Sequence, residues 1–259
     1  MAKFSSAQAA AFVEKIDLSG TPRALVPQDA EVDAGEVFDK AKTQAQLVGT
    51  GIFSFAQGVD AGVREAISDS ALLAQLVANK AQSADKAPID WFQSYAQVLQ
   101  NVGWVLQDGG WTDYKTDGSA LDVHKAILDV MTAALGPGAA ALTIITSVVN
   151  ALQSMTPDSP WLTLFERQKQ SARIARFQIG LVGKDENDEV FVSLVACLVQ
   201  ADQDFTQVLF FKFKEATATF KSNSQKVSIN RAALADLGPA IRTKVRAYQV
   251  DYLSSIKDL

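Results

Sequence analysis

Residues Val190 to Val199, VFVSLVACLV, are apolar at odd and even positions alike. Side chains alternate across a strand, so a strand greasy on both faces has none to give to water and must lie mid-sheet, covered above and below. That segment dictates a layered fold. In Arg173 to Gly183, RIARFQIGLVG, Ala175, Phe177, Ile179 and Leu181 alternate with Arg176, Gln178 and Gly180, which reads as a strand with one wet face. The polar run Lys184 to Asp188 is the turn between the two strands. After Asp202-Gln203-Asp204, Val208 to Phe220 reads as a third strand, completing a meander, and helix is expected to resume after Ser222-Asn223-Ser224.

The covers must come from elsewhere in the chain, and the N-terminal half has helical spacing. Val37, Ala41, Ala45, Val48 and Ile52 recur at three- and four-residue steps with Asp33 as a cap, which predicts a helix over residues 34–49. Ser68 to Gln82 carries Leu72, Leu73, Leu76 and Val77 on one side. Ile89 to Gln100 follows Pro88 with Trp91, Tyr95, Val98 and Leu99 on one face. Gly103 to Lys115 reads as a short hairpin or an extended edge element around Asp108-Gly109-Gly110. Ser119 or Asp122 caps a helix bearing Val123, Ile127, Val130 and Met131, which stops at Gly136-Pro137-Gly138. The next helix, about Ala139 to Ser154, is apolar nearly all round and is expected to be buried on most of its circumference. Leu237-Gly238-Pro239 then breaks a C-terminal helical region whose last helix, Ala240 to Ser255, is rich in basic residues. The expected fold is α/β: a single three-layer domain over residues 1–259, helical over 1–155, with sheet and C-terminal helix over 156–259 and helices wrapping a mostly antiparallel meander.

Charge and residue counts narrow the chemistry. With 24 Lys plus Arg against 29 Asp plus Glu, the net charge is -5, which repels a phosphate backbone and argues against nucleic acid as a partner. One cysteine, Cys197, and one histidine, His124, allow no intramolecular disulfide and no imidazole-rich metal site. His124, at a helix start, reads as a surface or capping side chain. The sequence holds no P-loop, dinucleotide fingerprint or nucleophile elbow, so a non-enzymatic protein is expected. The acidic turn Asp185 to Glu189 lacks the glycine and distal glutamate of a calcium loop and reads as a solvated hairpin. The N-terminus is too polar for a signal-peptide core, and the most apolar run, Ala139 to Val149, is 11 residues where a spanning helix needs roughly 20.

Two features bear on lipid. Trp91, Trp104, Trp111 and Trp161 suit either an interface or a core, and Arg242, Lys244, Arg246 and Lys257 suit either anionic headgroups or a solvated helix face. Cys197, amid Leu194, Val195, Ala196, Leu198 and Val199, reads first as a small buried hydrophobe and a poor nucleophile. The same apolar walls would suit a thioester-linked fatty acid. Each buried methylene contributes about 0.8 kcal/mol, so a long chain adds on the order of 10 kcal/mol of gross transfer free energy.

The order of these segments resembles a known family. The apolar helix ending near Met155, then Trp161, Leu162 and Phe165, then the strand pair around Lys184 to Asp188, then Val208-Leu209-Phe210-Phe211 are similar to the cytolytic delta-endotoxins of the Cyt type and the Evf virulence factor. The resemblance covers about Val102 to Ile229. It implies a cytolysin-like domain whose helices leave the sheet at the lipid membrane of a target cell, a pore-forming or disruptive toxin acting outside the cytoplasm that makes it, and homo-oligomers on membranes. From the Evf type it implies a lipoprotein, with a fatty acid, palmitate, on Cys197 and no other cofactor. Gly49 to Gly62 and Gly136 to Gly138 are the expected hinges. A small-molecule carrier or enzyme with a pocket between sheet and helices is the alternative, as is a plain interaction protein; a dry cavity lined by Val195, Leu198 and Phe210 would argue against catalysis.

Overall fold

The computed structural model describes residues 6–21, 41–81, 87–107, 109–116, 120–136, 140–154, 173–204, 212–214 and 217–256. In chain order these form α1 (Ser6–Lys15), β1 (Gln44–Val48), β2 (Gly51–Phe55), α2 (Ala61–Ala81), α3 (Pro88–Asn101), β3 (Trp104–Val105), β4 (Thr112–Asp113) and β5 (Ala120–Asp122). There follow α4 (Val123–Leu135), α5 (Ala140–Ser154), β6 (Ile174–Lys184), β7 (Val190–Ala201), β8 (Lys212–Lys214), β9 (Ala218–Ile229), α6 (Arg231–Tyr252) and β10 (Leu253–Ile256).

The doubly apolar strand is central, as its composition requires. The main sheet runs β10-β1-β2-β6-β7-β9-β3, with β4 also on β9, and every pairing is antiparallel except β2 with β6. β6 and β7 form a hairpin across the predicted turn: Asp185 Oδ1 accepts the amides of Asn187 and Glu189, and Lys184 pairs with Asp188 at 2.9 Å. Alternation splits the core in two. Val190, Val192 and Leu194 join Phe53, Phe55 and Val182 under α1, α2, α3 and α6. Val195, Cys197 and Val199 join Phe177, Ile179 and Phe220 under α4 and α5. Helices thus cover both faces, giving the three layers expected.

Several elements depart from the sequence reading. The expected helix over 34–49 is instead, where described, the hairpin β1–β2, with Val48 opposite Gly51. Its loop is Gly49-Thr50, and the positive φ of Gly49, 55°, followed by an ordinary φ at Thr50 is the II′ pattern that suits strand twist. Together with β3, β4 and β5, this hairpin means that the N-terminal half is not purely helical. β3 and β4 pair with β9 and not with one another, so Gly103 to Lys115 is an edge element and not a hairpin.

The third meander strand is β9; of Val208 to Phe220, only 212–214 and 217–220 are among the described residues. Lys212–Lys214 pairs with β5 in a separate two-stranded sheet, and β9 runs straight through Ser222-Asn223-Ser224, which was expected to open helix. Small polar residues are tolerated there because the pairing with β7 supplies the backbone bonds. α6 is continuous through Gly238-Pro239, and β10 closes the sheet edge on β1 where helix was expected. α5 buries only one stripe, Ile145, Val148, Val149 and Leu152, while Thr143, Ser147 and Asn150 are exposed. It is an outer layer.

Candidate functional site

Cys197 lies in the middle of β7, 1% exposed, between Phe177 on β6 and Ser222 on β9. On its own strand Val195 and Val199 flank it, and the packed cluster around it includes Phe220, Ile179 and Leu121. Burial in these apolar surroundings pushes the thiol well above its ordinary pKa, so it stays protonated and unreactive while the cover is in place.

That cover is α4 and α5. Asp122 caps α4 by accepting the amide of Lys125 at 3.1 Å, and Gly136, with φ 88°, ends it. Burial would raise Asp122, but the Lys212 ammonium at 3.0 Å and the Lys125 amide outweigh it and hold the carboxyl below its usual value. Tyr114 donates to Asp129 at 2.5 Å across the outer edge of the helix. α5 contains no charged residue, and among the described residues none of its side chains hydrogen-bonds to the sheet.

The opposite layer is bolted down by polar ties. Arg64 on α2 is fully buried and donates to the carbonyls of Val59, Lys42 and Ala56 and to Gln44 Oε1, all within 2.8 to 3.0 Å. Gln75 donates to the Val48 carbonyl at 2.6 Å and accepts the Thr50 amide at 3.1 Å. Asp69, 3% exposed, joins α2 to α6 through Gln249 at 2.7 Å and Arg242 at 3.1 Å. Burial is the largest influence on Asp69 and raises its pKa despite both donors.

The supposed wet face of β6 belongs to this layer. Arg176, 4% exposed, lies 3.7 Å over the Trp91 ring and donates to Asn79 at 2.8 Å, while Gln178 is fully buried. At Gly180 an added Cβ would sit 2.6 Å from the Phe53 ring, so its side-chain-free surface is an apolar contact and not a wet one. Polar residues in alternation look solvated in sequence; here Asn79 and the Trp91 ring face Arg176, and Gln178 Oε1 accepts from Gln75 at 3.4 Å.

Other singled-out residues fall as follows. Trp91 and Trp104 are buried and donate to Asn79 and Ser70, which makes them core and not interface anchors; Trp111 is half-buried and Trp161 lies outside the described residues. Arg242 pairs with Glu65 and Asp69, and Lys244 donates to the Glu14 and Ile16 carbonyls, so these two serve helix packing and not free headgroup capture. Arg246 is exposed and Lys257 lies outside the described residues. His124 sits half-buried in the first turn of α4, whose cap is Asp122. Leu198, opposite Arg176, faces away from Cys197, and Phe210 lies outside the described residues; only Val195 of the expected cavity trio is placed beside Cys197. The glycines from 49 to 62 are not a loose joint, because Gly49-Thr50 is a tight hairpin turn held by Gln75. No helix among the described residues is long and apolar enough to cross a membrane.

The architecture is a mostly antiparallel sheet between two helical layers. Solved structures to which the chain is similar include a delta-endotoxin, with 12% identity over 70% of this chain and 81% of that one and a TM-score of 0.40. The activated Cyt2Ba monomer from Bacillus thuringiensis subsp. israelensis shares 16% identity over 61% of this chain and 91% of its own, TM-score 0.31. The Evf virulence factor shares 11% over 94% and 88%, TM-score 0.33. These are the protein types that the segment order resembles. No family model matches the chain, and no curated protein matches it.

Proposed function

We propose that this chain is a non-enzymatic, membrane-active protein of the toxin or virulence type, and that it meets the lipid of a target membrane by lifting α4 and α5 from the sheet. The observation that supports this reading is the asymmetry of the two covers. α2 and its neighbours are tied to the sheet by buried hydrogen bonds, whereas α5 is uncharged and rests on apolar contact alone among the described residues. Apolar contact is the interaction that a bilayer replaces at little cost, because acyl chains solvate the exposed sheet face and the helix stripe equally well. Hydrogen bonds buried at the opposite layer have no such substitute in hydrocarbon. Several copies assembling on the membrane would then complete the lesion.

In this reading Cys197 lies beneath the layer that opens, and a palmitoyl thioester on its sulfur would add apolar area to the same face. The buried, protonated thiol is out of reach under the closed cover, so acylation in the host takes place before α4 and α5 close over it or while they are lifted.

Dye release from vesicles of mixed zwitterionic and anionic phospholipid tests the membrane step, with hydrogen exchange reporting which helices lose protection. Leakage with α4 and α5 exposed first is the expected result; lipid binding with α2 opening first, or no leakage from any composition, overturns it. Intact mass of protein from its native host tests acylation, which predicts a hydroxylamine-sensitive increment absent in Cys197→Ser. An unmodified native mass removes the palmitate and leaves the membrane step to stand on its own.

A further inference from the structure

α4 grows out of one strand and is tied midway to another. β5 runs straight into it at Asp122, and β5 is paired with β8, where Leu121 lies opposite Phe213 and both are buried. The start of the helix is therefore fixed by its own chain, and its far end is Gly136. Asp129 lies between the two, about two turns past the Asp122 cap.

Tyr114 reaches Asp129 from the sheet edge. Its amide donates to the Phe220 carbonyl at 2.8 Å, which carries the pairing of β4 with β9 one residue further, and its hydroxyl donates to Asp129 Oδ2 at 2.5 Å. Between these two bonds the Tyr114 ring packs edge-on against Phe220 at 5.8 Å. Phe220 in turn meets Phe177 at 6.5 Å, and Phe177 is the residue opposite Cys197 across β6 and β7. A line of rings thus runs from the sheet edge to the thiol, and α4 packs on β7 and β9 above it.

We propose that the Tyr114–Asp129 bond is the clasp of the movable layer: it sets how often α4 lifts from β7 and β9, and so how often Cys197 is uncovered. The assignment rests on the reading that α4 and α5 open. Lifting α4 about its fixed start carries Asp129 away from the sheet edge, while Tyr114 stays behind because its backbone is held to β9. The bond must therefore break before the rings beneath are exposed. A hydrogen bond from a phenol to a carboxylate is stronger than one between neutral groups, which suits it to hold a layer that otherwise rests on apolar contact.

Alkylation of the free Cys197 thiol by iodoacetamide, on the full chain in solution without vesicles, reads this opening directly, because the chain has one cysteine. Tyr114→Phe removes the hydroxyl and keeps the ring on Phe220; intact mass should show labelling about tenfold faster than in the parent, the factor that corresponds to a bond of about 1.4 kcal/mol. Asp129→Ala should do the same, and the double variant should label no faster than either single one, because both changes remove one shared bond. Ser70→Ala separates lifting from global unfolding. It takes away the acceptor of the buried Trp104 Nε1, 3.0 Å away in the opposite layer, and lowers overall stability. That contact is the same whether α4 is down or lifted, so labelling should keep the parent rate. Unchanged labelling in Tyr114→Phe, additive acceleration in the double variant, or acceleration by Ser70→Ala as large as that by Tyr114→Phe would each overturn the clasp. Dye release by the same variants tells this failure from that of the membrane reading. Faster labelling in Tyr114→Phe with no leakage by any variant supports the clasp and overturns the membrane step, whereas leakage by the parent with labelling unmoved by Tyr114→Phe overturns the clasp alone.

Discussion

The two faces of the sheet bury chain by different means. On one face, α2, α3 and α6 combine apolar packing with buried Arg64, Asp69, Gln75 and Arg176, each bonded at specific distances. On the other, α4 and α5 lie on Phe177, Val195, Cys197 and Phe220, with polar contacts from Asp122 and Asp129 at the rim. Hydrogen bonds fix position and fail abruptly, whereas apolar contact is non-directional and depends on the solvent. In the proposed reading one layer stays in place and the other responds to its surroundings.

The sharpest break is Arg64→Ala. It strands the carbonyls of Val59 and Lys42 and removes one of the two donors to that of Ala56, and at about 1 to 3 kcal/mol for each unsatisfied group it should cost at least about 2 kcal/mol in denaturant unfolding. A loss under about 1 kcal/mol would mean that packing, and not polar ties, holds α2 down. Next is Cys197→Ser, which places a hydroxyl in the dry face and should cost about 1 to 3 kcal/mol. Cys197→Ala, which removes the sulfur and adds no polar group, is expected to cost less. Equal effects would show that the face is wetter than its contacts indicate.

Smaller effects come from pH, and they have opposite signs on the two faces. Asp122 has a depressed native pKa, so its contribution is present above the unfolded value of 3.8 and is lost as pH falls through the native one. Asp122→Ala should cost about 1 kcal/mol at neutral pH and progressively less in acid, as read by amide protection along α4. Asp69 has a raised native pKa, so the native state holds its proton more tightly and stability falls as pH rises from 3.8 through the native value. Asp69→Asn should flatten that descending slope in unfolding curves. Acid below pH 3.8 thus loosens the α4 cap, while acid already above pH 3.8 relaxes the penalty at Asp69; the same sign at both positions would break the comparison.

Much of this was legible in the sequence, and the misses share a cause. VFVSLVACLV announced a central strand and a buried Cys197 because no other arrangement hides both faces. Asp122 and Gly136 marked the ends of α4 through capping chemistry that acts over three or four residues. The β1–β2 hairpin was masked by apolar residues whose spacing also fits a helix, although Gly49-Thr50 between two short apolar runs was the signal that could have found it. Arg176 and Gln178 looked solvated because alternation reveals a second face without revealing what lies on it. The Tyr114–Asp129 bond left no motif, since it depends on where β4 docks along β9.

The sequence by itself determined a sheet that needs two covers and one cysteine hidden inside it, because burial pattern along a strand is a local property that hydrophobicity alone enforces. Only the tertiary structure decided which cover is bolted and which merely rests, where Arg176 finds Trp91, and that Leu198 turns away from Cys197. Those outcomes depend on which distant side chains meet, and such meetings are settled by the packing of the whole chain, not by any stretch of it.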